Sequence, residues 1–455
     1  MGTQGLWSRL PAGNDGSRAG AVHMPGSNIL MRKQFSLALF ALAAIVCGAA
    51  HAQQTKLDTT QFVVVGEGLA AGMADFALRD VYQDKSFGAQ MARQMKTAFP
   101  QPLIEAPGIG NAPGYTAMPV HLPGTLQGSV RKPFPPYLFV FNLSIPGYRL
   151  ADSLTRRPSA PLLQQRDSLQ TSTNMILGYP ALVAGKAKPL WTQAEYAVQM
   201  NPTLVIVELG YYDVLEPAVN DDPSKLPDVA TFRTNLTTLL SRLTEGSHPQ
   251  MIVMNIPDPF DTPYFNTLAN VTRLVGTPAP SIMSIFGVKS DDLITPYGLM
   301  LIGNLILSKN VEPLKNPLYP GLSAYFPGTV ASAATRTAVR ARVVALNTEI
   351  GNVAKAAGAN VYDLQALFAR IKSQGVTMGS KRLTADFLGG FYSLDNYYPG
   401  SLGHGIIANE LLTLLNSTYR TSFPLLDLNV VANDDPAGRF TPAAVMKPIT
   451  TGELK

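Results

Sequence analysis

The sequence predicts an α/β protein, a three-layer α/β/α sandwich around a five-stranded parallel sheet with an inserted helical and loop subdomain. Three observations predict it. Short apolar or β-branched runs bounded by Gly, Pro, Asn or Asp recur along the 455 residues. Helical patterns lie between them, and near-continuous apolar strands are those of a sheet covered on both faces. Strand alternating with helix gives a parallel sheet whose active face lies at the carboxyl ends of the strands.

The predicted strands are Phe62–Val65, Leu138–Leu143, Leu204–Leu209, Met251–Met254 and Asn360–Tyr362. The first runs into Gly66-Glu67-Gly68-Leu69, after which the apolar stretch Ala70–Leu78 is expected to begin a helix. Phe232, Leu236, Leu239, Leu240 and Leu243 share a helix face, as do Val339, Val343, Leu346, Ile350 and Val353. A last helix follows Pro399-Gly400 and carries Ile406, Ile407, Leu411, Leu412 and Leu415. Residues 105–136, rich in Pro and Gly, read as a loop over the sheet. Residues 258–335 read as an insertion near the pocket mouth, where long ordered insertions often form lids or substrate walls. Within it, Leu293–Leu307 is apolar but interrupted by Pro296 and Asn304, too short to span a bilayer, and is expected as a buried helix.

The expected organisation is an upstream extension over 1–30, a signal peptide over 31–52, the α/β domain over 53–425 and a loop-like tail over 426–455. The signal reading rests on Met31-Arg32-Lys33, the apolar run Phe35–Ala50 and the small-x-small site Ala50-His51-Ala52. Cleavage near Ala52 implies export to the periplasm, the outer-membrane surface or the medium. With 46% hydrophobic and 15% charged residues the chain can bury a large core. The formal charge of +5 resides largely in the leader: without residues 1–52 the chain holds 32 basic and 30 acidic residues. That near balance gives no reason to expect nucleic acid or an anionic membrane as a partner. Cys47, the one cysteine, lies in the leader, with Val46 a poor fit to a lipidation site. The remaining chain therefore forms no disulfide and no thiolate metal site.

Gly66-x-Gly68-x-x-Ala71 after a strand also fits a dinucleotide-binding turn. That reading needs an acidic residue closing a second strand about twenty residues later. Arg79–Ala89 is instead polar and helical in pattern, and Glu105 comes late among prolines.

Four separated stretches point elsewhere. Gly66-Glu67-Gly68-Leu69 aligns with a G-D-S-L block, Asn142-Leu143-Ser144-Ile145-Pro146-Gly147 with a second block, and Gly210-Tyr211-Tyr212-Asp213 with G-x-N-D. Asp395-Asn396-Tyr397-Tyr398-Pro399 aligns with D-x-x-H-P, and Asn255-Ile256-Pro257-Asp258 with Gly389-Gly390-Phe391-Tyr392 adds to the pattern. In this order, over roughly residues 60–420, they resemble the SGNH/GDSL hydrolases, a lipase and esterase family. The resemblance implies an SGNH/flavodoxin-like fold and ester hydrolysis with no metal and no cofactor. Its serine attacks the ester, its histidine takes the proton, and its aspartate orients the histidine. The oxyanion is held by the serine N–H, the second-block glycine N–H and the asparagine amide.

This chain departs at three of those positions. Gly68 replaces the serine, Tyr398 the histidine and Tyr212 the asparagine, while Asp395, Gly68 and Gly147 keep the aspartate and the two backbone donors. A phenol with an ordinary pKa near 10 is a poor base at neutral pH. Losing nucleophile, base and side-chain donor together leaves no mechanism of the family type. Glu67 stands where the family has aspartate, and reads either as an acid/base partner of Asp395 or as the cap of the following helix. Of the remaining histidines, His121 and His248 read as loop residues, while His404, near the fourth block at the start of the last helix, reads either as a candidate acid/base or as a capping or packing residue. Ser144 and Ser401 lie near these blocks but in no G-x-S-x-G elbow. Tyr212 and Tyr398 either line a pocket floored by Gly68 and Gly147 or fill the vacated space. The first pattern suits a small acyl, carboxylate or glycan ligand. The functional expectation is a catalytically degenerate, exported member of the family retained for binding or scaffolding. The alternative is an active carboxylic-ester hydrolase using other residues.

Overall fold

The computed structural model describes residues 56–109, 128–131, 139–162, 165, 167–184, 190–309, 321–378 and 381–435. The leader, Cys47, His121, Leu138 and most of the expected tail lie outside the described residues.

Among the described residues the main sheet holds four parallel strands, and the expected fifth is not among them. In spatial order they are β1 (Phe62–Gly66), β2 (Leu204–Glu208), β3 (Gln250–Met254) and β4 (Asn360–Tyr362). All five residues of β1 and of β2 are buried, which explains their unbroken Val/Ile/Leu character. Gly66 pairs with Glu208, Val207 with Val253, and Val253 with Val361. The expected fifth strand is reduced to one bridge, between Val64 and Asn142, with Val64 N–H bonded to Phe141 C=O at 2.9 Å and Leu143 N–H to Val64 C=O at 2.9 Å. Asn142 stands at that bridge. Its amide donates to Ala70 C=O at 3.1 Å and Gln101 Oε1 at 3.0 Å, and the chain then turns at Pro146-Gly147.

The helix expected over Ala70–Leu78 is a single turn, α1 (Gly68–Ala71), stopped by Gly72 in the left-handed region at φ 77°. Next come α2 (Phe87–Met95), α3 (Gln193–Gln199), α4 (Tyr211–Val219), α5 (Val229–Leu243), α6 (Ala333–Ala356) and α7 (Ser401–Tyr419). Side-chain caps start several of them, including a capping box of Thr192 and Glu195 on α3 and Asp228 on α5. One helical group packs α5 on α3 and α6, with α6 reaching α4; another packs α7 on α2. Gly88 lets α2 approach β1, since a Cβ there would lie 3.1 Å from Val64 Cγ2 and 3.0 Å from Phe99 Cζ.

Residues of the predicted insertion form their own small assembly. A three-stranded antiparallel ribbon (Asn266–Thr267, Leu293–Ile294, Val330–Ala331) carries the helices Leu268–Val275, Ala279–Phe286 and Pro296–Leu307 around a separate apolar cluster. The last of these is half-buried rather than buried, with Ile302 inside and Leu307 83% exposed, because only one side faces that small cluster. No helix among the described residues is long and apolar enough to cross a membrane.

After α7 the chain doubles back along it. Asn409 exchanges two bonds with Leu426 (2.7 and 3.1 Å) and Asn416 two with Phe423 (2.8 and 2.9 Å). The spacing matches: seven helical residues rise about 10.5 Å, and three extended residues span about 10 Å. The helix Leu428–Asn433 then packs on α7, and Asp435 accepts from Leu402 N–H at 3.2 Å.

Candidate functional site

The site is built where β1 and β2 end side by side. Each strand delivers a carboxylate there, Glu67 just after β1 and Glu208 as the last residue of β2, and both are buried. Glu67 caps α1. Its Oε2 accepts from Gly68 N–H at 2.5 Å and its Oε1 from Leu69 N–H at 3.1 Å. Glu208 Oε2 in turn accepts from the N–H groups of Glu67 and Ala70, each at 3.2 Å. Burial pushes both carboxyls up, and at Glu208 the Glu67 charge acts in the same direction. The sequence signal for Glu208, not singled out above, is an acidic residue closing an apolar strand.

Tyr398 covers Gly68. A Cβ at residue 68 would fall 2.5 Å from the Tyr398 hydroxyl oxygen, 2.7 Å from its Cζ and 2.8 Å from its Cε2. The phenol donates to Glu67 Oε2 at 2.6 Å. Its ring packs edge-on to Tyr397 at 4.7 Å and Tyr211 at 6.2 Å between centroids, and Tyr398 is 1% exposed. Burial and the Glu67 charge push its phenol well above the ordinary range, so it is no base near neutral pH.

Asp395 does not meet an imidazole. Its Oδ1 accepts from Tyr397 N–H at 3.2 Å and Tyr398 N–H at 3.0 Å, fixing the loop that presents the plug. Burial raises its carboxyl to about 7, against those bonds and the Ser393 hydroxyl. Asp75 ties the same loop to the chain after α1, accepting from Leu394 N–H at 2.9 Å while its own N–H donates to Ser393 Oγ at 3.2 Å.

The other half of the site is more open. Gly147 is in the left-handed region at φ 87°, and a Cβ there would meet Leu169 at 3.3 Å and the Tyr212 ring at 3.8–3.9 Å. Tyr212, from the first turn of α4, is only partly buried. Its neighbour Asp213 accepts from Leu150 N–H at 2.9 Å and so joins α4 to the Gly147 turn. Burial raises the Asp213 carboxyl to about 7.

His404 stands apart. It is 2% exposed on α7, both ring nitrogens lack a hydrogen-bond partner among the described residues, and burial lowers its pKa to about 3. Neither Ser401 Oγ nor Ser144 Oγ has a hydrogen-bond partner there either, so neither is activated by it. His248 is an exposed turn residue at φ 47°. The structure thus gathers Glu67, Gly68, Tyr398 and, through the loop backbone, Asp395. Gly147 and Tyr212 lie against each other, and His404 joins neither group. Chemically, the Gly68 N–H is committed to Glu67 and the space above it to a phenol ring.

No protein-family model matches the chain, and no curated protein sequence matches it. Among solved structures it is similar to phospholipase A1 from Streptomyces albidoflavus NA297, at 13% identity and a TM-score of 0.32, over 79% of this chain and 100% of that one.

Proposed function

We propose that this chain is an exported SGNH/GDSL-like protein that has lost ester hydrolysis and serves as a binding or scaffolding protein. One observation carries the reading: the Tyr398 ring fills the space an attacking side chain at residue 68 would need, and its hydroxyl is bound to Glu67. An acyl-transfer site needs a nucleophile, a base and free donors converging on one point. Here Gly68 supplies no nucleophile, Tyr398 and His404 supply no base near pH 7, and the Gly68 donor is taken.

The ligand surface in this reading is the Gly147–Tyr212 half of the site, where an acyl, carboxylate or glycan group lies against the partly exposed ring. Export follows cleavage near Ala52, which N-terminal sequencing of the protein recovered outside the cytoplasm checks directly. The activity test pairs p-nitrophenyl ester turnover with a serine-reactive phosphonate probe on the purified protein. No turnover above buffer and no label are expected. Turnover together with labelling of any serine overturns the proposal.

A further inference from the structure

Glu67 collects three donors, the N–H groups of Gly68 and Leu69 and the Tyr398 hydroxyl, and this convergence is that of an ionised carboxylate. Glu208 collects two N–H groups on Oε2 alone, which leaves Oε1 to carry a proton. Neither acid forms an ion pair among the described residues. The charge of Glu67 reaches Glu208, Tyr398 from the 393–399 loop, and Tyr211, Tyr212 and Asp213 from α4, while Glu208 has Glu67 as its one charged neighbour among the described residues. Arg149, the cation whose charge reaches Tyr212 and Asp213, is committed to Glu216.

We propose that at neutral pH Glu208 holds a proton while Glu67 is ionised, and that loss of this proton opens the Tyr398 plug. Two adjacent carboxylates without a cation cannot both stay ionised and dry. Glu208 is held in the strand ladder and α1 is held by both acids, so the side that yields is Tyr398, carried on an irregular loop. Water then reaches the carboxylates, and the backbone of Gly68 is uncovered. In alkali the plug is open; in neutral or mildly acidic solution it is shut. Burial raises both carboxyls, which puts the second ionisation on the alkaline side. This gate does not depend on whether the protein hydrolyses esters, and ester turnover is not its readout.

The test is hydrogen exchange of the wild-type protein, read by mass spectrometry on peptides covering residues 66–72 and 393–400 and corrected for intrinsic rates. Between about pH 6 and about pH 9, protection of both peptides should fall together by about tenfold or more. The neutral replacement Glu208→Gln keeps an acceptor for both N–H groups and should abolish the fall in excess of that in a reference peptide from α5, which reports the pH dependence carried by Asp213 and Asp395. Unchanged wild-type protection, or the same loss in Glu208→Gln, overturns the proposal. Should that variant not fold, infrared spectroscopy of the wild type decides. The carbonyl band of a protonated carboxyl must vanish in step with the loss of protection, and its persistence through opening refutes the gate.

Discussion

Placing a methyl group at residue 68 tests how firmly Tyr398 is seated. In Gly68→Ala the new Cβ falls 2.5–2.8 Å from three atoms of the Tyr398 ring and hydroxyl, against about 3.5–4.0 Å for an ordinary contact. Gly68 sits in α1, so the backbone tolerates alanine and the cost is crowding. Overpacking of this kind costs about 1–3 kcal/mol. If the ring swings away, its bond to the Glu67 carboxyl is lost, worth about 1.5–3 kcal/mol. Replacing glycine in a helix returns at most about 1 kcal/mol. Whichever of the two the site adopts, the net expectation is a destabilisation of about 1–3 kcal/mol. Tyr398→Ala alone should also destabilise, by about 3–5 kcal/mol, since it empties a packed aromatic site. The double variant should recover the crowding component, so the two effects fall short of additivity by more than about 1 kcal/mol. Denaturant melts followed by the fluorescence of Trp191 supply all four free energies. Additivity within about 0.5 kcal/mol would falsify the seating of Tyr398 on Gly68.

Stability should also fall as pH rises. Asp213 and Asp395 are raised to about 7 in the folded chain, so they hold protons that the unfolded chain has released above about pH 4. Their folded environments are most favourable below that point and lose ground up to about pH 7, by on the order of 1–4 kcal/mol each. A denaturant midpoint higher at about pH 5 than at about pH 8 is expected; the opposite order refutes the assignment. Asp395→Ala should cost about 1–3 kcal/mol by stranding the Tyr397 and Tyr398 N–H groups, whereas Asp395→Asn retains the accepting oxygen and should cost less, as parallel melts will show. Under Gly68→Ser, Tyr212→Asn and Tyr398→His together, side chains at 68 and 398 come within reach of each other. Measurable p-nitrophenyl acetate hydrolysis is expected, and a folded but inactive triple variant contradicts it.

The parts of this molecule legible in the sequence are those governed by local pattern. β1 to β3 stand out as buried apolar runs and β4 as a shorter one with only Tyr362 buried, and α5 and α6 carry their apolar stripes where the spacing puts them. The fifth strand misled because its apolar run meets β1 at a single bridge and the chain then turns at Pro146-Gly147, which apolarity alone does not foretell. The helix after β1 misled because Gly72 stops it after one turn while the apolar run continues. At the site, the motif positions located Gly68 and Tyr398, but not that the two share one space. That contact joins residues 330 positions apart and depends on the loop that Asp395 holds. Glu208 escaped notice because its partner in the pair is fixed by strand register, which no single segment encodes.

The returning segment on α7 sets where this polypeptide tolerates cutting or tagging. Phe423 and Leu426 are clasped by asparagines two turns apart, and Asp435 closes over the start of the same helix. A protease site or fusion joint placed between residues 421 and 435 would undo the whole run from its far end, laying bare the apolar flank beneath Leu428 and Val431. Such a shortened protein should clump on storage while its sheet remains folded, and a joint placed beyond residue 435 should not.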